Sequence, residues 1–91
     1  MKYRIVATKQ FKKAFKRIKH DKKLVEEIET IIDILSNDET ISRSYKDHSL
    51  TGNLKEFREL HIRPDYLLIY RKTETELILT LAHMGSHSEL F

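Results

Sequence analysis

The sequence predicts an α+β fold in which a two-helix hairpin packs on a small, mainly antiparallel sheet, in the order β-α-α-β-β-β. Three observations carry this. Apolar residues recur at helical spacing twice within the first 35 residues. The run Tyr66-Leu67-Leu68-Ile69-Tyr70 has the length and composition of a buried strand. Turn formers at Gly52-Asn53, Pro64-Asp65 and Glu74-Thr75 cut the second half into strand-length pieces. Helices grouped before strands point to one helical layer on one sheet.

Each element has its own justification. Residues 2–7 alternate well enough for a strand. Thr8 suits a helix N-cap, and Phe11, Ala14, Phe15 and Ile18 then fall on one helical stripe. Lys9, Lys12, Lys13, Lys16 and Lys19 cover the other side. His20-Asp21 breaks this helix, and Asp21 caps the next. Leu24, Ile28, Ile31 and Leu35 line the second helix, with Val25 and Ile32 widening its stripe. Fifteen residues give a rod of about 22 Å. Residues 36–47 are polar and read as a loop containing a short turn. Residues 54–62 fit helix or strand by pattern alone. The Pro64-Asp65 turn and the apolar run after it make 54–71 a hairpin. Leu77, Ile78, Leu79, Leu81 and Ala82 form the last strand, closing an antiparallel meander.

Ninety-one residues suit one domain, 1–91, with a modest core. There is no cysteine, which removes disulfides, thiolate nucleophiles and cysteine-based metal sites. No signal peptide or membrane span is expected, and the reading is cytoplasmic. The net charge of +3 is uneven: residues 1–23 carry +9 and residues 24–91 carry −6. Such asymmetry fits a polyanion or an acidic partner, and fits equally a solvated, lysine-rich helix face.

The second half collects His48, His61 and His87, and Asp65 lies close after His61. Histidine exchanges a proton near neutral pH, so such a set suits acid–base work on a bound polyanion. Each residue also has a plainer role. His87 can be a surface residue of the tail, His48 and His61 can each satisfy a backbone carbonyl, and Asp65 is ordinary after a turn proline. Phe91 and Tyr66 suit either base stacking or core packing. Metal is not expected. His83 and His87 are four apart, but Gly85 between them argues against a helical ligand pair, and no HExxH occurs. No cofactor is expected either.

Several blocks together resemble the RelE/ParE superfamily of bacterial type II toxins, most closely its YafQ branch. They are Tyr45-Lys46-Asp47-His48-Ser49-Leu50, Gly52, Arg58, the stretch from His61-Ile62-Arg63-Pro64-Asp65-Tyr66 through Tyr70, and Gly85-Ser86-His87-Ser88-Glu89-Leu90-Phe91. The element order agrees over the whole length. The resemblance implies a ribosome-dependent endoribonuclease that cuts messenger RNA during translation. It assigns functional roles to His48, His61, Asp65, His87 and Phe91. Position 66 is Tyr where the founding pattern has Trp. His83-Met84 stands where an arginine often steadies the phosphate, and leaves Lys46, Arg63 or His83 as substitutes.

Metal-free RNA cleavage uses the 2′-hydroxyl as nucleophile, with one group to take its proton and another to protonate the departing 5′-oxygen. His87 is the first choice for the acid. Of His48 and His61, one acts as base and the other binds phosphate, or one only fixes its loop. The lysines of the first helix are expected to meet ribosomal RNA phosphate. The implied partners are the ribosome and messenger RNA, a cognate antitoxin, and operator DNA only through the antitoxin complex. The alternative is a non-catalytic relative that binds gyrase, nucleic acid or an antitoxin only.

Overall fold

Thr8 and Asp21 start the two long helices as their side chains dictate. The computed structural model describes all 91 residues. The Thr8 hydroxyl accepts the Phe11 N–H, and Asp21 accepts the Leu24 N–H. Each satisfies an amide that the first helical turn leaves without a partner. The helices are α1, Lys9–Ile18, and α2, Lys22–Ser36. Before them lies β1, Arg4–Ala7. After them come β2, His48–Ser49, β3, Arg58–Arg63, β4, Tyr66–Thr73, and β5, Ile78–Gly85. A single-turn helix, α3, His87–Leu90, closes the chain.

The five strands lie in the order β1-β5-β4-β3-β2. β1 runs parallel to β5, and every other pair is antiparallel. The helical hairpin between β1 and the meander supplies the crossover that a parallel pair requires. The expected architecture is therefore present, with differences at element ends. The strand expected from Leu54 starts at Arg58, because Gly52–Leu54 forms a 3₁₀ turn with Gly52 at φ 66°. β2 went unforeseen, since a two-residue strand has no periodicity to detect. His87 lies in a helical turn with a capping box.

The core explains which sheet face carries chemistry. Leu60, Ile62, Leu68, Tyr70, Leu79, Leu81 and Met84 join Phe11, Ala14, Leu24, Ile28, Ile31 and Leu35 in one buried cluster. These strand residues face the helices. Side chains alternate along a strand, so Glu59 and His61 on β3 project from the opposite face. Leu67, fully buried yet outside that cluster, stands opposite His61 in the β3–β4 register.

Two polar anchors hold the loop between α2 and β2. Asp38 adopts φ 58° and receives Lys2 Nζ at 2.9 Å and Lys72 Nζ at 2.8 Å. These ammonium hydrogen bonds, Lys72 first, hold its carboxyl down at about 2. At the loop's far end Asp47 accepts the Tyr70 hydroxyl at 2.6 Å and Arg58 Nη2 at 3.1 Å. Burial, then the Asp47 contact, pushes the Tyr70 phenol far above its ordinary value, so it stays a donor.

Candidate active site

Strand register brings the histidines together. His48 pairs with Glu59 across β2 and β3, so their side chains share a face, and His61 follows two residues later on that face. His87 arrives from β5 through the last turn. Its approach depends on Gly85, where an added Cβ would lie 3.1 Å from Glu89 Oε1 and 3.3 Å from Glu89 Cβ. The close approach lets α3 fold back over the strand end. Ser86 and Glu89 then cap one another, and that bonding holds the Glu89 carboxyl below its usual range.

The three rings form a row. The His48 and His61 centroids are 6.4 Å apart, and those of His61 and His87 5.8 Å. Each ring is fixed through Nδ1. His48 Nδ1 lies 2.7 Å from the Lys46 carbonyl oxygen, and His61 Nδ1 lies 3.3 Å from that of Pro64. His87 Nδ1 lies 3.0 Å from Asp65 Oδ1, which also accepts the His87 backbone N–H at 3.2 Å. These two bonds hold the Asp65 carboxyl below its ordinary value, as an anion beside the ring. An imidazole whose Nδ1–H donates to oxygen turns Nε2 towards other business.

Glu59, which the sequence reading passed over, sits beneath this row. It is 6% exposed, and its Oε1 lies 3.4 Å from His48 Nε2 and 3.8 Å from His61 Nε2. Donor atoms of Glu59, His61 and His87 all lie within 4.8 Å of one another. That spacing lets the three reach a single divalent ion. The reading against metal rested on the His83–His87 spacing and the lack of HExxH, and it did not single out Glu59. The signal for Glu59 was present: a carboxylate two residues before a histidine on a strand shares its face.

The other candidates divide. Phe91 is 64% exposed, and its N–H donates to the His87 carbonyl, so it sits one turn from the histidine row. Lys46 takes a left-handed backbone at φ 52°, and its exposed side chain lines a groove with His61. Tyr66 and His83 line a different groove, between α1 and α3, together with Lys13, Arg17 and Glu89. Tyr66 also packs against the core, and burial raises its phenol. Arg63, expected as a phosphate ligand, lines the same groove as Lys46 and His61 and is also paired with acidic residues of the helical layer. Its guanidinium binds Glu27 at 2.7 Å and reaches Asp21 at 3.6 Å, so it clamps β3 to α2. Arg17 is an exposed cation beside His83 that the sequence reading did not single out. Lys9, Lys12, Lys13, Lys16 and Lys19 are all exposed along α1.

A small basic α+β protein with a carboxylate-braced histidine row at one rim of its sheet is the class that fold and site define. Residues 3–91 match the family model described as bacterial toxin of type II toxin-antitoxin system, YafQ, and the chain belongs to that family. It is 36% identical over 58 residues to the mRNA interferase toxin YafQ of Escherichia coli K12. That match spans 64% of this chain and 61% of the relative. Its fold is similar to that of a metal-bound toxin from Helicobacter pylori, with TM-score 0.89, 37% identity and all of both chains covered. YafQ from E. coli BL21(DE3) superposes with TM-score 0.86 at 29% identity, over 98% of each chain. An E. coli DinJ–YafQ complex is similar too, with TM-score 0.85, 30% identity and 98% of each chain covered.

Proposed function

We propose that this chain is a single-domain, ribosome-dependent mRNA endoribonuclease, the toxin of a type II toxin–antitoxin module. The observation that carries the reading is the row of His48, His61 and His87, with centroid spacings of 6.4 and 5.8 Å. Neighbouring rings of the row are close enough to flank one phosphodiester. A gyrase binder has no use for such a set of proton carriers. Membership of the YafQ family and the interferase name of the E. coli relative support the same reading.

The chemistry follows from which nitrogens are committed. His61, held through Nδ1 by the Pro64 carbonyl, presents Nε2 to the cluster and takes the 2′-hydroxyl proton. The 2′-oxygen bonds to phosphorus while the bond from phosphorus to the 5′-oxygen breaks. His87, braced by Asp65, gives its proton to that departing oxygen. The products are a 2′,3′-cyclic phosphate and a 5′-hydroxyl. His48 and Lys46 lie where cations steady the phosphate, a role the chain fills without an arginine at position 83. Phe91, and Tyr66 from its separate groove, supply aromatic surfaces for bases, and His83 with Arg17 offers cationic contacts beside Tyr66. The five lysines of α1 give sequence-blind attraction to ribosomal RNA.

The partners follow from this reading: the ribosome with its message, a cognate antitoxin that covers the basic face, and operator DNA reached only through that complex. The DinJ–YafQ assembly supports an antitoxin partner. The working compartment is the cytoplasm, where translating ribosomes are. No helix is long and apolar enough to cross a membrane. The test is primer extension on messages from translating ribosomes. Discrete cuts that disappear with His87→Ala support the proposal. Absence of cuts by the native chain refutes it.

A further inference from the structure

The nuclease reading leaves one charged group without a job. Glu59 is the only carboxylate that the fold buries. Removing a carboxylate from water is costly unless cations and hydrogen bonds compensate. No lysine or arginine pairs with it, and its ion-pair partners are the Nε2 atoms of His48 and His61. Its neighbours on the sheet are apolar: Ile69 stands opposite it on β4, and Leu60 beside it is fully buried. A valine or threonine there would satisfy the strand at less cost. The charge therefore serves the histidines.

Resting on the nuclease reading, we propose that Glu59 is the positioning residue of the base side of the reaction. It holds His48 and His61 in one constellation and balances the positive charge that arises on His61. The step conserves atoms and charge. The 2′-hydroxyl loses its proton to His61 Nε2, the new oxygen–phosphorus bond forms as the bond from phosphorus to the 5′-oxygen breaks, His87 protonates that departing oxygen, and the His61 imidazolium then faces Glu59 Oε1. Asp65 does the corresponding work for His87 from the other end of the row. The two carboxylates differ in setting: the Asp65 side chain is 73% exposed, and that of Glu59 is 7% exposed. The buried one is less screened by solvent than Asp65.

The test is single-turnover cleavage of ribosome-bound message by the full chain, with Mg²⁺ retained for the ribosomes and transition metals chelated, for the native protein, Glu59→Gln and Glu59→Asp. Glu59→Gln keeps the shape and removes the charge. Its maximal rate falls about 10²-fold, the lower end of what a positioned acid–base group contributes. The ribosome concentration giving half that rate stays within about threefold, because the lysines and Phe91 that hold RNA are untouched. Glu59→Asp, which restores the charge at shorter reach, recovers part of the rate. Added formate raises the rate of Glu59→Ala, since the emptied space admits a small carboxylate. A Glu59→Gln protein that cuts at the native rate overturns the inference. So does a loss matched by Glu59→Asp and unmoved by formate, which marks a structural role only. A native protein that cuts nothing refutes the nuclease reading itself, so the two failures are distinct.

Discussion

Tyr70→Phe isolates the anchor that holds the His48 loop to the sheet. Tyr70 is 2% exposed, and its hydroxyl donates to Asp47 Oδ1 at 2.6 Å. Phenylalanine fills the same space, so no cavity opens and only the hydrogen bond is removed. A bond to a charged acceptor contributes about 1.5–3 kcal/mol. Asp47 keeps Arg58 Nε at 3.2 Å and Nη2 at 3.1 Å as partners. The expected loss is thus at the lower end, about 1.5–2 kcal/mol. For a domain of this size that lowers the melting temperature by about 6–16 °C. Asp47→Ala costs more, because it strands a buried hydroxyl as well. The double mutant therefore falls short of the sum, with a coupling of about 0.5–3 kcal/mol. Urea unfolding of the four proteins measures both quantities. The pH dependence has a definite sign. The folded phenol ionises later than the unfolded one, whose ordinary value is about 10. The Tyr70 contribution is complete below pH about 10 and is lost as pH rises above it. Equal midpoints for native and Tyr70→Phe proteins, or zero coupling to Asp47, would refute this account of the loop.

Three further outcomes follow. Asp65→Asn keeps an acceptor for the His87 ring but removes the charge, so cleavage loses part of the about 10²–10⁴-fold that a positioned acid supplies; a native rate measured on programmed ribosomes contradicts this. Replacing Lys9, Lys12 and Lys16 by glutamine weakens ribosome binding and flattens its dependence on salt. The slope falls by about 0.7–0.9 for each phosphate no longer neutralised, as binding titrations at several salt concentrations will measure. Asp38→Asn destabilises the fold at neutral pH. Because the folded carboxyl titrates at about 2, below its ordinary 3.8, the native advantage exists above that ordinary value and disappears as pH falls through about 2. Unfolding curves for both proteins at pH 7 and pH 2 check the direction.

How much was legible follows from the range of the signals. The long helices announced themselves because Thr8 and Asp21 cap them and their stripes repeat over three or four turns. The strands β4 and β5 were plain from runs such as Leu67-Leu68-Ile69. Site residues that lie on short stretches around turns, His48, His61, Asp65 and His87, were found as residue types, and the fold brings them within reach of one another. Arg63 looked like a phosphate ligand because nothing local shows that Glu27, thirty-six residues earlier, will claim it. Glu59 stayed hidden for the reverse reason. A single glutamate in a charged stretch reads as solvated, and only the pairing of β2 with β3 puts it under His48. Lone pairings between distant residues leave no periodic trace. Their detection required the register.

The most direct measurement of the central claim is the chemistry of the cut ends. Message cleaved by the native chain on ribosomes, with Mg²⁺ retained and transition metals chelated, is analysed for its termini. Proton transfer between imidazoles and the RNA's own hydroxyl predicts a 2′,3′-cyclic phosphate on one fragment and a 5′-hydroxyl on the other. A 5′-phosphate, or cutting that stops when transition-metal ions alone are removed, contradicts it.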